Sequence, residues 1–311
     1  MVRNLLLYTL TVGIWGSTWL GIKFQLGHVD PLVSVIYRFS LATALLFAWC
    51  ALRRLNLRFT AGGHLFMALQ GASLFALNYW LFYLAEQHLS SGVVAVVFST
   101  IVFWNMINGR LFLKTPLRSS VIWGAGLGIL GIGLVFWPEL SAFDLSDASL
   151  KGFLLSVAAT LLASFGNILS ARNQRNGLPV VQTNAFGMGY GTLFMLIAAV
   201  IAHKPFTIDG STGYLVSLVY LALFGSVLAF GAYLTLIGRI GADRAAYATL
   251  LFPVIALLLS TLFEGYHWSP AAVAGVAVIL AGNAIALGKI DLKEIRTRRA
   301  IRIAQRSKVP L

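Results

Sequence analysis

The chain has 311 residues, 59% hydrophobic and 11% charged, with a mean hydropathy of +0.84. An ordinary soluble domain is about 45–50% apolar and about 25% charged, so that class is excluded. The net charge of +13 would suit a nucleic-acid partner, but its placement assigns it to membrane topology and the anionic inner leaflet, and nucleic-acid binding is set aside.

A helix needs ~20 apolar residues to cross ~30 Å of hydrocarbon. Ten runs near that length are predicted, at about 4–23, 32–52, 64–85, 89–112, 119–137, 151–171, 181–202, 214–238, 245–263 and 270–288. The first follows the short basic start Met1-Val2-Arg3 and could pass for a signal peptide. Trp15 and Trp19 in its outer half, with no small-x-small cleavage site after it, predict that it stays in the mature protein. Span two opens at Pro31 and carries Arg38; its Cys50 is the single cysteine, which excludes an intrachain disulfide and argues against a redox role. In span five, Gly126-Leu127-Gly128-Ile129-Leu130-Gly131 fits the dinucleotide fingerprint, yet no strand precedes it and it lies mid-membrane. It reads as small-residue packing, as do Gly187, Gly189 and Gly191 in span seven. No long hydrophilic segment occurs; the longest external loop, 138–150, is too short for a domain.

Charge fixes the orientation. Crossing ten times, the chain puts 19 of its 23 Lys and Arg on one side: Arg3, Arg53, Arg54, Arg58, Arg110, Lys114, Arg118, Arg172, Arg175, Arg239, Arg244 and the eight of the tail from Lys289 to Lys308. Lys23, Lys151 and Lys204 face the other side, with most of the acids, and Arg38 is left inside a span. Basic loops resist translocation, so both termini are expected in the cytoplasm of a bacterial cell, with the protein multi-pass in its inner membrane. The expected fold is an all-α polytopic membrane protein of ten transmembrane helices. The basic tail, 289–311, reads as a juxtamembrane segment in contact with lipid.

Spans six to ten repeat the pattern of spans one to five. Phe112, Gly124 and Gly131 recur 151 positions later as Phe263, Gly275 and Gly282; Tyr79 and Phe82 recur at the same offset as Phe230 and Tyr233; Pro31 recurs 148 later as Pro179. The chain thus divides into a first repeat, 1–148, and a second, 149–288. Five is odd, so the second half enters the membrane in the opposite sense, the plan of many secondary transporters.

The residues resemble a known group at this point. Trp15-Gly16-Ser17, Tyr37-Arg38-Phe39, the aromatic end of span three running into Leu84-Ala85, Phe252-Pro253 and the glycine-bearing last spans of both halves are similar to the drug/metabolite transporter superfamily, in particular its EamA-type members. The resemblance covers about 4–288 and comes nearest to the YddG-like exporters. It implies a secondary transporter that exports small amphipathic metabolites, amino acids including aromatic ones, by alternating access. It also implies a cavity walled by spans one, three, four, six, eight and nine.

Polar and aromatic residues within spans supply the candidate site. Trp15 lies in span one; Asn78, Tyr79, Phe82 and Tyr83 form one stripe of span three; Ser99 and Thr100 lie in span four, with Trp104 and Asn105 a turn deeper. Ser164 and Asn167 mark span six, Phe230 and Tyr233 span eight, Tyr247, Thr249 and Phe252 span nine. An asparagine facing lipid would leave its amide unpaired, and aromatic faces can hold an ammonium or stack on apolar groups. Pro253 frees a carbonyl in the turn before it, making mid-span nine a cavity wall, a hinge or a simple kink. Arg38 has two open readings: it meets an anionic group of the substrate, or it bonds carbonyls and holds the halves together. Spans five and ten, with Gly124, Gly128, Gly275 and Gly282, are expected to pack peripherally and to offer a scaffold or homodimer contact. The five histidines sit at span ends without metal-ligand spacing, and no nucleophile–base pair, Walker lysine or paired buried carboxylate occurs. No cofactor, metal or enzymatic activity is therefore expected. The partners expected are a small-molecule substrate and the bilayer, and export of drugs or lipophilic cations is the competing function.

Overall fold

A computed structural model describes residues 2–25, 27, 29–89, 91–141, 143, 146–263 and 267–287; the basic tail lies outside the described residues. Among the described residues ten long helices follow one another in chain order, with a short helical turn, Trp137–Ser141, after the fifth. They are α1 (Val2–Lys23), α2 (Pro31–Leu52), α3 (61–86), α4 (91–113), α5 (Ser119–Val135), α6 (Asp147–Arg175), α7 (Val180–Ile201), α8 (Thr212–Ile240), α9 (Ala242–Phe263) and α10 (Pro270–Ala286). Seven of them, α2 to α4 and α6 to α9, are long and apolar enough to cross a membrane, and α5 and α10 are shorter apolar helices. The protein is an all-α polytopic membrane protein built as two inverted five-helix repeats.

Local chemistry starts the helices. Asp30 accepts from the Leu32 amide at 2.9 Å ahead of Pro31, whose missing N–H costs nothing at a first helical position. Thr60, Ser146, Ser211 and Ser269 cap α3, α6, α8 and α10 in the same manner. The cap at Ser146 starts α6 four residues before its apolar run.

Two features of the backbone repeat between halves. Gly71–Leu77 in α3 and Leu221–Leu228 in α8 wind as π-helix, about one repeat apart. Such widened turns break the i to i−4 ladder and often mark functional sites. The second feature is the α5–α10 contact. A methyl group on Gly124 would lie 2.7 Å from the Gly282 carbonyl oxygen, and one on Gly131 would lie 2.6 Å from that of Gly275. Because Gly124 and Gly131 correspond to Gly275 and Gly282, the two contacts exchange under the repeat. The pseudo-two-fold axis therefore passes between α5 and α10. The glycines expected to serve a scaffold or dimer surface are covered by this internal seam, because only a bare Cα lets two helix backbones approach so closely. The outer faces, with Trp123, Leu130, Val273 and Leu280, are exposed.

The basic residues collect at one end of the bundle. Arg175 donates to the Leu113 carbonyl at 2.9 Å, Arg239 to Asn4 at 2.5 Å, and the Arg172 guanidinium stands 3.2 Å from the centre of the Phe66 ring. At the opposite, less basic end Lys204 and Asp30 pair at 2.9 Å. In α9, Ala246–Leu251 tightens to 3-10 geometry just before Pro253, whose ring cannot sit beneath the carbonyl four residues back. This stretch is buried against protein, and Thr249 returns its hydroxyl to the Ala246 carbonyl at 2.7 Å.

Candidate functional site

The two halves meet in a chain of aromatic rings. Trp15 of α1 packs against Phe230 at 4.8 Å, Tyr233 at 5.1 Å and Phe252 at 5.3 Å between ring centres. Phe230 continues to Phe75 at 4.9 Å, Phe75 to Phe39 at 5.7 Å, and Phe39 to Tyr79 at 5.2 Å. The edge-on geometries that dominate here are those the ring quadrupole favours. The Trp15 indole N–H donates at 2.9 Å to the Gly225 carbonyl, inside the π-turn of α8. That widened turn is what turns the carbonyl of Gly225 toward another helix.

Beside the rings lies a buried amide network. Asn105 of α4 donates to the Ala242 carbonyl at 3.1 Å; Asn167 of α6 donates to Asn105 at 3.4 Å and to the Tyr233 hydroxyl at 3.2 Å. Asn108 donates to Ser164 at 2.9 Å. Asn167 is 1% exposed, and among the described residues its Oδ1 has no hydrogen-bond partner; the same holds for Oδ1 of the buried Asn78. A buried unpaired acceptor costs ~1–3 kcal/mol, so these two oxygens are unexplained by the fold.

The structure brings Trp15, Phe230, Tyr233, Phe252, Asn167 and Ser164 into this junction and carries Tyr79 to its edge. Other candidates stand apart. Phe82 packs on Phe98 at 5.4 Å in a separate apolar cluster with Leu89 and Val93, so the stripe of α3 divides: Tyr79 and Tyr83 share one side, Phe82 another. Tyr247 donates to the Val121 carbonyl at the α5 seam. Ser99 and Thr100 return their hydroxyls to the carbonyls of Val96 and Val97 at 2.5 and 2.6 Å. These short returns coincide with the break between the two segments of α4 at Thr100. Phe39 and Phe75, both fully buried, are not among the site candidates read from the sequence, Phe39 figuring only in the Tyr37-Arg38-Phe39 motif, because an apolar ring on an apolar helix carries no polar marker. Their helix, α2 for Phe39, joins the predicted walls.

The junction is packed rather than open. Above it, toward the less basic end, a small cleft of about 20 Å³, room for about one water molecule, is lined by residues of α1, α2, α3 and α8 and the turn after α1, among them Gln25, Ser34, Arg38 and Tyr83. Arg38 is 7% exposed and donates through Nε to Ser226 at 2.9 Å.

Comparison with known proteins agrees with this architecture. A family model described as the EamA-like transporter family matches residues 3–137 and 150–288, one match per repeat. The inner membrane transporter YedA of Escherichia coli K12, itself described as uncharacterized, is 31% identical over 292 residues, covering 89% of this chain and 88% of that protein. A probable amino-acid metabolite efflux pump of Salmonella typhimurium is 25% identical, covering 95% of this chain and 96% of its own. A solved crystal structure overlays with a TM-score of 0.79 at 17% identity, over 92% of this chain and 96% of that one, a likeness of fold.

Proposed function

The chain belongs to the EamA-like transporter family, and from that premise we propose that it is a secondary exporter of small amphipathic metabolites, amino acids foremost, working by alternating access. The carrying observation is the junction itself: aromatic rings from both halves and the Asn167 amide, whose oxygen has no partner among the described residues, meet in one buried place. A zwitterion entering it loses water from both charged ends. The oxygens of Asn167 and Asn78 are acceptors suited to an ammonium, while Trp15, Tyr79 and Tyr233 offer faces to an apolar side chain. The relatives named above, one of them described as an amino-acid metabolite efflux pump, support the same direction.

The packed junction beneath this small cleft fits a carrier shut toward its basic end. Both termini lie in the cytoplasm in this reading, since basic loops resist translocation. The repeats 1–148 and 149–288 would then exchange this state for its mirror, rocking about the α5–α10 axis. Export of lipophilic cations uses the same rings through cation–π contact and is the competing reading. Radiolabelled flux in proteoliposomes separates the two. A panel of amino acids and lipophilic cations, with and without a proton gradient, should show amino-acid movement; movement of cations alone would replace the proposal.

A further inference from the structure

Arg38 is a buried charge with no acidic partner among the described residues. Burying a guanidinium costs several kcal/mol unless it is paired. Its side chain carries five N–H donors, yet among the described residues only Ser226 takes one, through Nε. No described acidic residue pairs with it or lines the cleft it borders. The two terminal amino groups are thus left for something else.

The repeat shows that this helix crossing closes without a charge. The 148-residue offset relating Pro31 to Pro179 places Arg38 opposite Phe186, next to Gly187. In that half, α7 meets the π-turn of α3 glycine on glycine: a methyl group on Gly71 would lie 2.2 Å from the Gly187 carbonyl oxygen. In this half, α2 meets the π-turn of α8 with Arg38, and Gly225 leaves the space it occupies, since a methyl group there would lie 3.0 Å from Nη2. A residue serving only to hold the crossing would have no reason to be ionic in one half alone. The guanidinium is also pre-set, tethered by Ser226 and 6.0 Å from the centre of the Tyr79 ring.

We infer that Arg38 is the carboxylate receptor of the transport path, binding the acid group of a small carboxylate-bearing solute at the floor of the cleft. The planar fork of Nη groups matches a carboxylate in two parallel hydrogen bonds. Tyr83 lines the same cleft and the Tyr79 ring stands 6.0 Å from the guanidinium, so the remainder of the solute would rest on phenol rings. The assignment builds on the exporter reading and narrows it: the solute is a zwitterion or an anion, and a simple cation is repelled.

The test is competition against radiolabelled L-phenylalanine and radiolabelled phenylacetate on purified full-length protein. Wild-type protein should bind both carboxylates, and 2-phenylethylamine, which keeps the ring and ammonium but lacks the acid, should compete poorly. Arg38→Gln should weaken both carboxylates by about tenfold to a hundredfold while leaving 2-phenylethylamine binding unchanged or improved, a change of charge preference that a merely structural loss would not produce. Arg38→Lys should keep part of the affinity. Ser226→Ala, which frees the guanidinium without removing it, covers the case in which Arg38→Gln fails to fold, and should weaken carboxylates selectively. Wild-type affinity in Arg38→Gln, or equal competition by 2-phenylethylamine, overturns the assignment and leaves the exporter proposal standing. Binding of phenylacetate without phenylalanine keeps the assignment and removes the amino-acid reading. Binding of neither carboxylate removes both.

Discussion

Replacing Asn167 with leucine should damage transport far more than it damages the fold. Leucine keeps the branch at Cγ but is bulkier, and Asn167 is 1% exposed, so overpacking costs ~1–3 kcal/mol. The amide donates two hydrogen bonds, at 3.4 Å to Asn105 and 3.2 Å to Tyr233, both long against a usual 2.9–3.0 Å. Hydrogen bonds between membrane helices average ~0.6 kcal/mol and reach ~1.7, so losing these two costs about 1–2 kcal/mol. The substitution also removes an acceptor, Oδ1, that is buried without a partner among the described residues, which returns ~1–3 kcal/mol. The net change should be a destabilisation of about 1–2 kcal/mol, small beside a loss of the fold. A charged substrate group that relies on Oδ1 would lose ~1.5–3 kcal/mol, or roughly tenfold to a hundredfold in kcat/KM at ~1.4 kcal/mol per decade. Flux of several radiolabelled amino acids and thermal melting should be measured on the same preparation. Unchanged flux with unchanged melting would refute the role of Asn167 in the site. Flux and fold collapsing together would make the residue structural.

Further outcomes follow from the same geometry. Asn78→Leu should impair transport of every amino acid, whereas Tyr79→Ala should penalise large apolar substrates more than small ones; kcat/KM across glycine, leucine and phenylalanine checks both. Gly275→Leu should lower the melting temperature markedly, because a side chain there meets the Gly131 carbonyl at 2.5 Å, while Gly126→Ala, with open space around it, should not. Overpacking of this kind costs ~1–3 kcal/mol. With the buried Cys50 replaced by alanine, a cysteine at Ser141 should react with an impermeant thiol reagent from outside intact cells and one at Asn56 should not; the reverse pattern would invert the topology.

The helices were legible because hydrocarbon imposes a length and a composition on every crossing, and the Pro31 and Ser146 starts show how little beyond that local capping adds. What escaped the sequence was whatever depends on a partner across the repeat. The π-turns at Gly71 and Leu221 sit in stretches whose residues suit an ordinary helix, so nothing in their order announces a widened turn. Gly124 and Gly131 announced close packing, but which helix they meet became evident only with Gly275 and Gly282 in place. The site divides in the same way. Trp15, Asn167 and Tyr233 stood out as polar or amphipathic groups at membrane depth, and they converge. Phe39 and Phe75 join them without any such mark, while Phe82, on the same predicted stripe as Tyr79, turns into another cluster. Helical spacing told which residues share a face and left open which neighbour that face meets.

Counterflow tests the central claim most directly. Proteoliposomes loaded with unlabelled L-phenylalanine at high concentration are diluted into trace labelled L-phenylalanine. A carrier that alternates between two states returns from each outward trip with external substrate, so the label should accumulate transiently above its equilibrium level. Equilibration without an overshoot, or an overshoot seen with a lipophilic cation and not with any amino acid, would contradict an amino-acid exporter working by alternating access.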